Sequence, residues 1–345
     1  MEMPKVSIVI LNFNTKELLD TLLPFVMKTT YDNVEIVVAD NASTDGSLEL
    51  VKEHFPEVRR IRMESNLGYA GGYNEALKQL DTDFWVLLNS DIEVEPNWLE
   101  PLMSTMLSDN KIAAVQPKIL RYDNRGQFEY AGASGGLIDK YAYPFCRGRL
   151  FDQLEMDNGQ YDSIEEVFWA TGAALLVRAS VYKKLSGLDA DFFAHMEEID
   201  LCWRMKNHGF QVWVNPTSQV YHIGGGTLEA HSPRKVFLNF RNNLVLIAKN
   251  MPVGQAIRVL IIRLFLDGLA GVKFVIDGKP SSAFMIIKAH WTFFLRFGFY
   301  WRKRKQIDLQ VSTKGLAGFV NLSMVYQYFA KGVKHYSDIK KPSVT

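Results

Sequence analysis

The apolar positions of the first hundred residues fall into short continuous runs separated by stretches with helical spacing. Val6–Leu11 (VSIVIL), Val34–Asp40 (VEIVVAD), Arg59–Met63 and Phe84–Asn89 all have strand length. Between the first two, Leu18, Leu19, Leu22, Leu23 and Val26 mark one face of a helix over Lys16–Lys28. After Asp40 the loop NASTDGS leads to Leu48, Val51 and Phe55, again at helical spacing, and the third run is followed by the glycine-rich NLGYAGGYNEALKQL. A strand that is apolar at nearly every position is one covered on both faces, as in a parallel sheet between helices. The pattern therefore predicts an α/β fold with a mostly parallel central sheet flanked by helices.

Farther along, Ala113–Leu120 and Val167–Val177 have strand character, and the polar, Gly- and Tyr-rich stretch 123–162 between them reads as a loop or flap. Met196–His208 is predicted as a helix stopped by Gly209, with short strands at Val212–Asn215 and Gln219–His222. Residues 234–305 alternate apolar clusters with cations, as amphipathic helices do.

Composition changes this picture at one point. The net charge of +1 conceals 20 basic and 34 acidic side chains in residues 1–233, against fourteen Lys/Arg and two Asp in residues 234–305. Two units are expected: 1–233, and a basic, mainly helical region 234–345, with the boundary at Ser232-Pro233. The second unit has two readings. It is a helical extension packed on the first part or on a second copy, or it lies on an anionic membrane surface, apolar side down and cations at the headgroups. Cations interleaved with large apolar residues, and no recognised motif, argue against nucleic acid as partner. No run approaches the ~18 uninterrupted apolar residues of a membrane span, and the N-terminus has no signal-peptide pattern. Cys146 and Cys202 form neither a disulfide framework nor a zinc cluster and fit small buried residues of a reducing compartment.

Several polar residues stand where predicted strands end: Asn12 and Asn14, Asp40 and Asn41, then Asn89 and Asp91. Open α/β sheets bind ligands at that edge, although Asn, Ser and Asp also simply favour turns there. The first turn reads N-F-N-T-K-E rather than G-x-G-x-x-G, and no G-x-x-x-x-G-K-[ST] occurs, which argues against a dinucleotide fingerprint and a P-loop. Asn66 with Gly71 and Gly72 precedes a helix and offers close backbone approach to an anion. His222 ends a short strand before Gly224-Gly225-Gly226. With Asp91 it makes an oxygen-plus-imidazole donor set suited to Mg²⁺ or Mn²⁺, or else a structural histidine. In HMEEIDLCWRMKNHG, Glu198 shares a helix face with Cys202 and Met205, and there desolvation would make it a better base. Asp200 and Arg204 look like a solvated i, i+4 stripe. Glu197 and Glu198 equally suit a helix N-terminus.

In their order, VSIVILNFN, VVADNASTDGS, NLGYAGGYNEAL, LLNSDIEV, ATGAALLVRA, GLDADFFAHMEEIDLCWR and VYHIGGGT resemble the inverting family 2 glycosyltransferases of GT-A fold. The similarity covers about residues 4–226 and is strongest to the bacterial rhamnosyltransferase and galactofuranosyltransferase subgroup. It implies that Asp91, the last acid of a D-x-D motif whose first acid is here Asn89, holds a divalent metal on the donor diphosphate together with His222. It further implies that Asp40 recognises the nucleotide base and that Asn12 and Asn14 contact the nucleotide. Glu198 would be the catalytic base, in a Glu-Glu pair with Glu197 where the family usually has Glu-Asp. Trp169, Thr171 and Gly172 would lie near donor sugar and acceptor. The expected protein is a metal-dependent transferase acting on a nucleoside-diphosphate sugar and a lipid-linked glycan acceptor, peripheral on the cytoplasmic face of the membrane. Two rivals are a nucleotide-sugar binder that has lost turnover and a sugar-phosphate nucleotidyltransferase; the latter would need a basic glycine-rich phosphate loop that this N-terminus lacks.

Overall fold

The computed structural model describes residues 3–224, 232–306, 313 and 315–339. In chain order its elements are β1 (Val6–Asn12), α1 (Lys16–Val26), β2 (Val34–Asp40), α2 (Ser47–His54), β3 (Arg59–Arg62), α3 (Gly68–Leu77), β4 (Phe84–Asn89), β5 (Ile92–Val94), α4 (Leu99–Ser108) and β6 (Ile112–Arg121). Then come β7 (Gly136–Asp139), β8 (Pro144–Cys146), β9 (Arg149–Leu150), β10 (Gln153–Leu154), β11 (Glu165–Glu166), β12 (Ala174–Arg178), α5 (Ala179–Lys184), α6 (Glu197–Asn207) and β13 (Gln211–His222). The C-terminal part forms α7 (Pro233–Asn250), α8 (Val253–Ile276), α9 (Pro280–Leu295), α10 (Phe297–Arg302) and β14 (Phe319–Val320).

The main sheet has the order β11-β13-β6-β12-β4-β1-β2-β3, with β5 added on β13. Its β4-β1-β2-β3 half is parallel. Strand β12 runs antiparallel between β4 and β6, and β13 is parallel to β6. Alternation within the apolar runs explains their composition. Strand β4 sends Trp85 and Leu87 into one core, with Tyr73 of α3 and Leu201 of α6. It sends Phe84, Val86 and Leu88 into the other, with Leu23 of α1, Val51 of α2 and Leu102 of α4. Each fully buried aliphatic side chain contributes about 1.5–3 kcal/mol, and only a strand covered on both faces gains this at every position. The edge strand β3 is different: of RRIR only Ile61 is buried, and its arginines blunt the free edge.

Register then decides what meets what. Parallel pairing sets Asn12 opposite Asp40 and Leu11 opposite Asn89, so the carboxyl ends of β1, β2 and β4 are level. Antiparallel pairing of β5 on β13 sets His222 opposite Ile92, which brings its ring beside Asp91.

Three expectations change. The stretch 123–162 is not simply a loop, because it holds β7–β10, which with β14 from the C-terminal part build a second, five-stranded sheet. Its strands, of two to four residues, are too short to show an alternating pattern. Val167–Val177 is a strand only from Ala174 onward; before that the chain turns inward, with the Trp169 carbonyl accepting from the Gly136 amide. The two short strands at 212–222 are one, β13, interrupted by an irregularity between Asn215 and Gln219.

The composition break at Ser232-Pro233 is the start of α7, where Ser232 caps the helix by accepting from the Lys235 amide and Pro233 occupies its first turn. The hydrophobic core crosses this point, since Leu244, Leu246, Phe293 and Tyr300 share one cluster with Leu201 and Trp203. Among the described residues no helix is long and apolar enough to cross a membrane.

Candidate active site

A cleft of about 600 Å³ opens where the carboxyl ends of the parallel strands meet the second sheet and α7. Nine of the candidate residues line it: Asn66, Asn89, Asp91, Trp169, Thr171, Gly172, Glu197, Glu198 and His222. Asn12, Asn14, Asp40, Gly71 and Gly72 are not among its lining residues.

At one point of the cleft, His222 Nε2 lies 3.1 Å from Asp91 Oδ1, and its Nδ1 lies 3.0 Å from Glu129 Oε2. Burial opposes a charge on this ring, but the Asp91 and Glu129 carboxylates outweigh it and raise His222 to about 10. A divalent cation between Asp91 and His222 would take the place of that proton. Glu129 would then accept from Nδ1–H and fix the tautomer, as carboxylates behind metal-ligating histidines do. Sequence reading missed Glu129, which lies 93 residues before His222 and in no motif. Gly224 packs on it, with φ +74° and a hypothetical Cβ 3.3 Å from Glu129 Oε1, so a side chain there would be strained as well as crowded. Gly225 and Gly226 lie outside the described residues.

The glutamate pair starts α6. The preceding loop has Phe193, His195 and Met196 at φ +65°, +69° and +75°, a conformation that costs side-chain-bearing residues of order 1–3 kcal/mol each. Helix α7 holds it in place. Asn242 Nδ2 lies 2.7–3.0 Å from the carbonyls of Phe192, Ala194 and His195. Arg241 donates to the carbonyls of Asp191 and Phe192. Asp200 and Arg204 are not a solvated stripe. Asp200 is fully buried, accepting from Arg204, Lys249 and Asn250 at 2.7–2.8 Å, which ties α6 to α7. The charge pattern alone could not distinguish these arrangements, because Lys249 arrives from another helix.

Burial raises Glu198 to about 7. Glu197 is raised well above the usual carboxylate range, by burial first and then by the neighbouring Glu198 charge. Two adjacent buried carboxyls do not both ionise readily, so Glu197 keeps its proton and Glu198 carries the charge. Glu198 lines the cleft as a carboxyl that changes charge near neutral pH.

The opposite end departs from expectation. Asp40 is 1 % exposed, its carboxylate accepting from Asn12 Nδ2 at 2.9 Å and from the Ser43 amide at 3.2 Å. Asn14 Oδ1 accepts from the Thr44 amide. These three organise the loop after β2, and the cleft surface there belongs to Phe13, Asn41 and Asn66. Asn41 bonds Asn66 and the Leu67 amide, a linkage of two separate strand ends that no spacing reveals. The start of α3 is no open anion site either, since the Tyr69 and Ala70 amides donate to the Phe193 carbonyl. Gly72 is required for packing: a Cβ there would come within 2.8 Å of Leu11. A Cβ on Gly71 would likewise crowd Leu67 at 2.9 Å. Trp169 and Thr171 form a firm wall, with Trp169 Nε1 donating to the Leu137 carbonyl and stacked over Gly136. Tyr69 donates to the Gly172 carbonyl at 2.6 Å.

The Glycosyl transferase family 2 model matches residues 7–173. An N-acetylglucosaminyl-diphospho-decaprenol L-rhamnosyltransferase of Mycobacterium tuberculosis is 26% identical over 219 residues, 59% of this chain and 71% of that protein. A low-salt glycan biosynthesis hexosyltransferase of Haloferax volcanii is 22% identical over 244 residues, 69% of this chain and 74% of that one. A mannosyltransferase from Pyrobaculum calidifontis, solved with GDP-Man and Mn²⁺, is similar in fold with a TM-score of 0.53, 14% identity and coverage of 89% of this chain and 86% of its own. GalNAc-T7, solved with UDP, GalNAc and Mn²⁺, gives a TM-score of 0.56 at 16% identity over 72% of this chain and 48% of its own. With the parallel half-sheet and the cleft at its carboxyl edge, these matches show a glycosyltransferase of GT-A-type fold whose residues 7–173 match the family 2 model.

Proposed function

We propose that the protein moves a sugar from a nucleoside-diphosphate sugar to a hydroxyl of a glycan acceptor, with inversion and with the help of Mg²⁺ or Mn²⁺. The observation that carries this reading is the meeting of Glu198, Asp91 and His222 on one cleft. Glu198 takes the proton from the acceptor hydroxyl, which attacks the anomeric carbon from the face opposite the leaving diphosphate. Glu197, protonated, keeps its neighbour's charge single, and the Trp169–Gly172 wall limits how the sugar can lie. Asp91 and His222 hold the cation, which when bound offsets charge developing on the leaving group. Among the described residues no three or more His, Cys, Asp or Glu form a closed metal cage. The diphosphate and water therefore complete the shell, as is usual for Mg²⁺ sites on phosphate substrates. UDP-, dTDP- and GDP-sugars screened for metal-dependent nucleotide release test the reading; release from none of them, with or without acceptor, overturns it.

Glu129→Gln keeps the shape behind His222 but removes the charge that orients the ring. It is expected to raise the cation concentration for half-maximal activity by about 10–100-fold, with activity recovered at saturating metal. An unchanged metal titration would remove Glu129 from the site.

We also infer that the protein docks on the inner, anionic face of the membrane through α8 and α9, and that its acceptor is lipid-linked, like that of the mycobacterial relative by its name. Ile261, Phe265 and Ile276 of α8 and Ile287, Trp291 and Leu295 of α9 are each 63–79 % exposed. Not every cation of this region is available to headgroups. Lys249, Arg263 and Arg304 are buried inside, whereas Arg258, Lys273, Lys279, Lys288 and Arg296 remain exposed around the apolar face. Exposed apolar area of this extent, edged with positive charge, matches an anionic bilayer better than a second copy bearing the same charge. The protein should float with phosphatidylglycerol vesicles at low salt, and Ile261→Asp with Trp291→Asp should release it. Absence of vesicle binding, or a salt-resistant dimer with this face covered, defeats the inference.

A further inference from the structure

Buried cations in this protein have carboxylate partners almost without exception. Lys118 meets Asp157 and Asp162, Arg147 meets Glu165, Lys206 meets Glu166 and Arg263 meets Asp267. Among the described residues Arg304 has none, but it donates to the carbonyls of Ala248 and Met251 at the end of α7. Arg149 on β9 is 6 % exposed, yet among the described residues no carboxylate lies within the 4.0 Å of an ion pair. Its Nη1 donates to the Phe151 carbonyl at 3.1 Å, and among the described residues its Nη2 reaches only the Cys146 thiol at 3.5 Å and its Nε has no partner. That thiol is no counter-ion, because burial raises its pKa and keeps it neutral. The Glu129 carboxylate attracts Arg149 only at longer range and is paired with His222, and a buried guanidinium with no anion in contact is costly unless a ligand supplies one.

Arg149 lines the cleft, and so do Lys235 and Arg234 at the start of α7. Arg149 lies 4.3 Å and Lys235 6.0 Å from the ring centre of Tyr130, so two cations share one aromatic ring. Neither Lys235 nor Arg234 has an ion pair among the described residues. Arg149 comes from the second sheet and the other two from the first turn of α7, where Arg234 lies 5.2 Å from the ring centre of Phe193. Tyr130 follows Glu129, which pairs with His222, so the cluster flanks the reacting centre.

We propose that Arg149, Lys235 and Arg234 form an anion subsite that holds the phosphate of a phosphate-linked acceptor, separately from the donor diphosphate at Asp91 and His222. The inference rests on the transferase reading above and names the chemical class of its acceptor. Arginine suits this task because its planar fork bonds phosphate oxygens in pairs, while lysine adds a point charge. Such a subsite would fix the acceptor's reducing end and leave its free hydroxyl near Glu198.

The test compares two acceptors carrying the same sugar, one on a diphosphate-linked short prenyl chain and one on a neutral alkyl chain of similar length. The wild type should prefer the phosphate-bearing acceptor in kcat/KM by about tenfold or more, which is about 1.4 kcal/mol. Arg149→Gln should abolish that preference through KM of the phosphate-bearing acceptor, and Lys235→Gln, partly exposed and safer for folding, should reduce it. Nucleoside-diphosphate affinity, measured by calorimetry with Mn²⁺, is the reference. If the variants weaken nucleotide binding and keep the preference, the cluster serves the donor and the proposal fails. It also fails if the wild type shows no preference. Turnover of the neutral acceptor by the wild type checks the transferase reading separately.

Discussion

Glu198→Gln is expected to lower kcat for sugar transfer by about 10²–10⁴-fold, the usual worth of a positioned general base. The amide keeps the size and most contacts of the side chain and loses only the ability to take a proton. Nucleotide affinity should change little, which separates a chemical defect from a folding one. The pH profile supplies a second check. Burial raises the Glu198 carboxyl to about 7, and a base works only when ionised, so transfer should fall as pH drops below about 7 and level off above it. In the variant that acidic limb should vanish from the residual activity. Glu197→Gln should do far less harm, because burial and the adjacent charge already keep Glu197 protonated and glutamine resembles a protonated carboxyl. A larger loss from Glu197→Gln than from Glu198→Gln would exchange the two roles.

Asp91→Ala should remove essentially all metal-dependent turnover, a loss of about 10³-fold or more, since a cation at the leaving group is worth several kcal/mol. Asp91 is one of only two protein groups proposed to hold the cation, so excess Mn²⁺ should not restore the rate. This distinguishes it from Glu129→Gln, which acts on the orientation of His222 and should yield to excess metal. A variant Asp91→Ala that kept wild-type turnover in Mn²⁺ would show that the cation, if any, is held elsewhere. Because Asp91 and Glu129 together stabilise the charge on His222 against burial, removing Asp91 should also lower the pKa of that ring, a shift that NMR titration can follow.

The parallel half of the fold was legible because burial on both faces forces near-continuous apolar composition, as in VSIVIL and FWVLLN. Asp91 and His222 were candidates because each ends an apolar run, and Glu198 because of its place beside Cys202 and Met205. Spacing equally suited a turn, a structural histidine and a helix N-terminus, so their expected roles came from the family resemblance. Other features left no local trace. Glu129, Asn41 and Arg149 gain their meaning from partners far away in sequence, and a strand of two residues such as β9 is too short to show a period. Asp200 misled for the same reason: an i, i+4 pair looks alike in water and in a core until Lys249 arrives from α7.

By itself, then, the amino-acid order determined the strands of the parallel half-sheet and the helices between them, where composition changes, and which polar side chains stand at those strand ends, because these follow from local periodicity. Tertiary structure alone decided that Asp40 turns into a hydrogen-bonded loop rather than the cleft. It also decided that α7 clamps the strained loop before Glu197, and that a buried arginine faces the cleft with no carboxylate in contact among the described residues. Each of these depends on the free energy of contacts between residues tens to more than a hundred positions apart, which chain order constrains only through the completed fold.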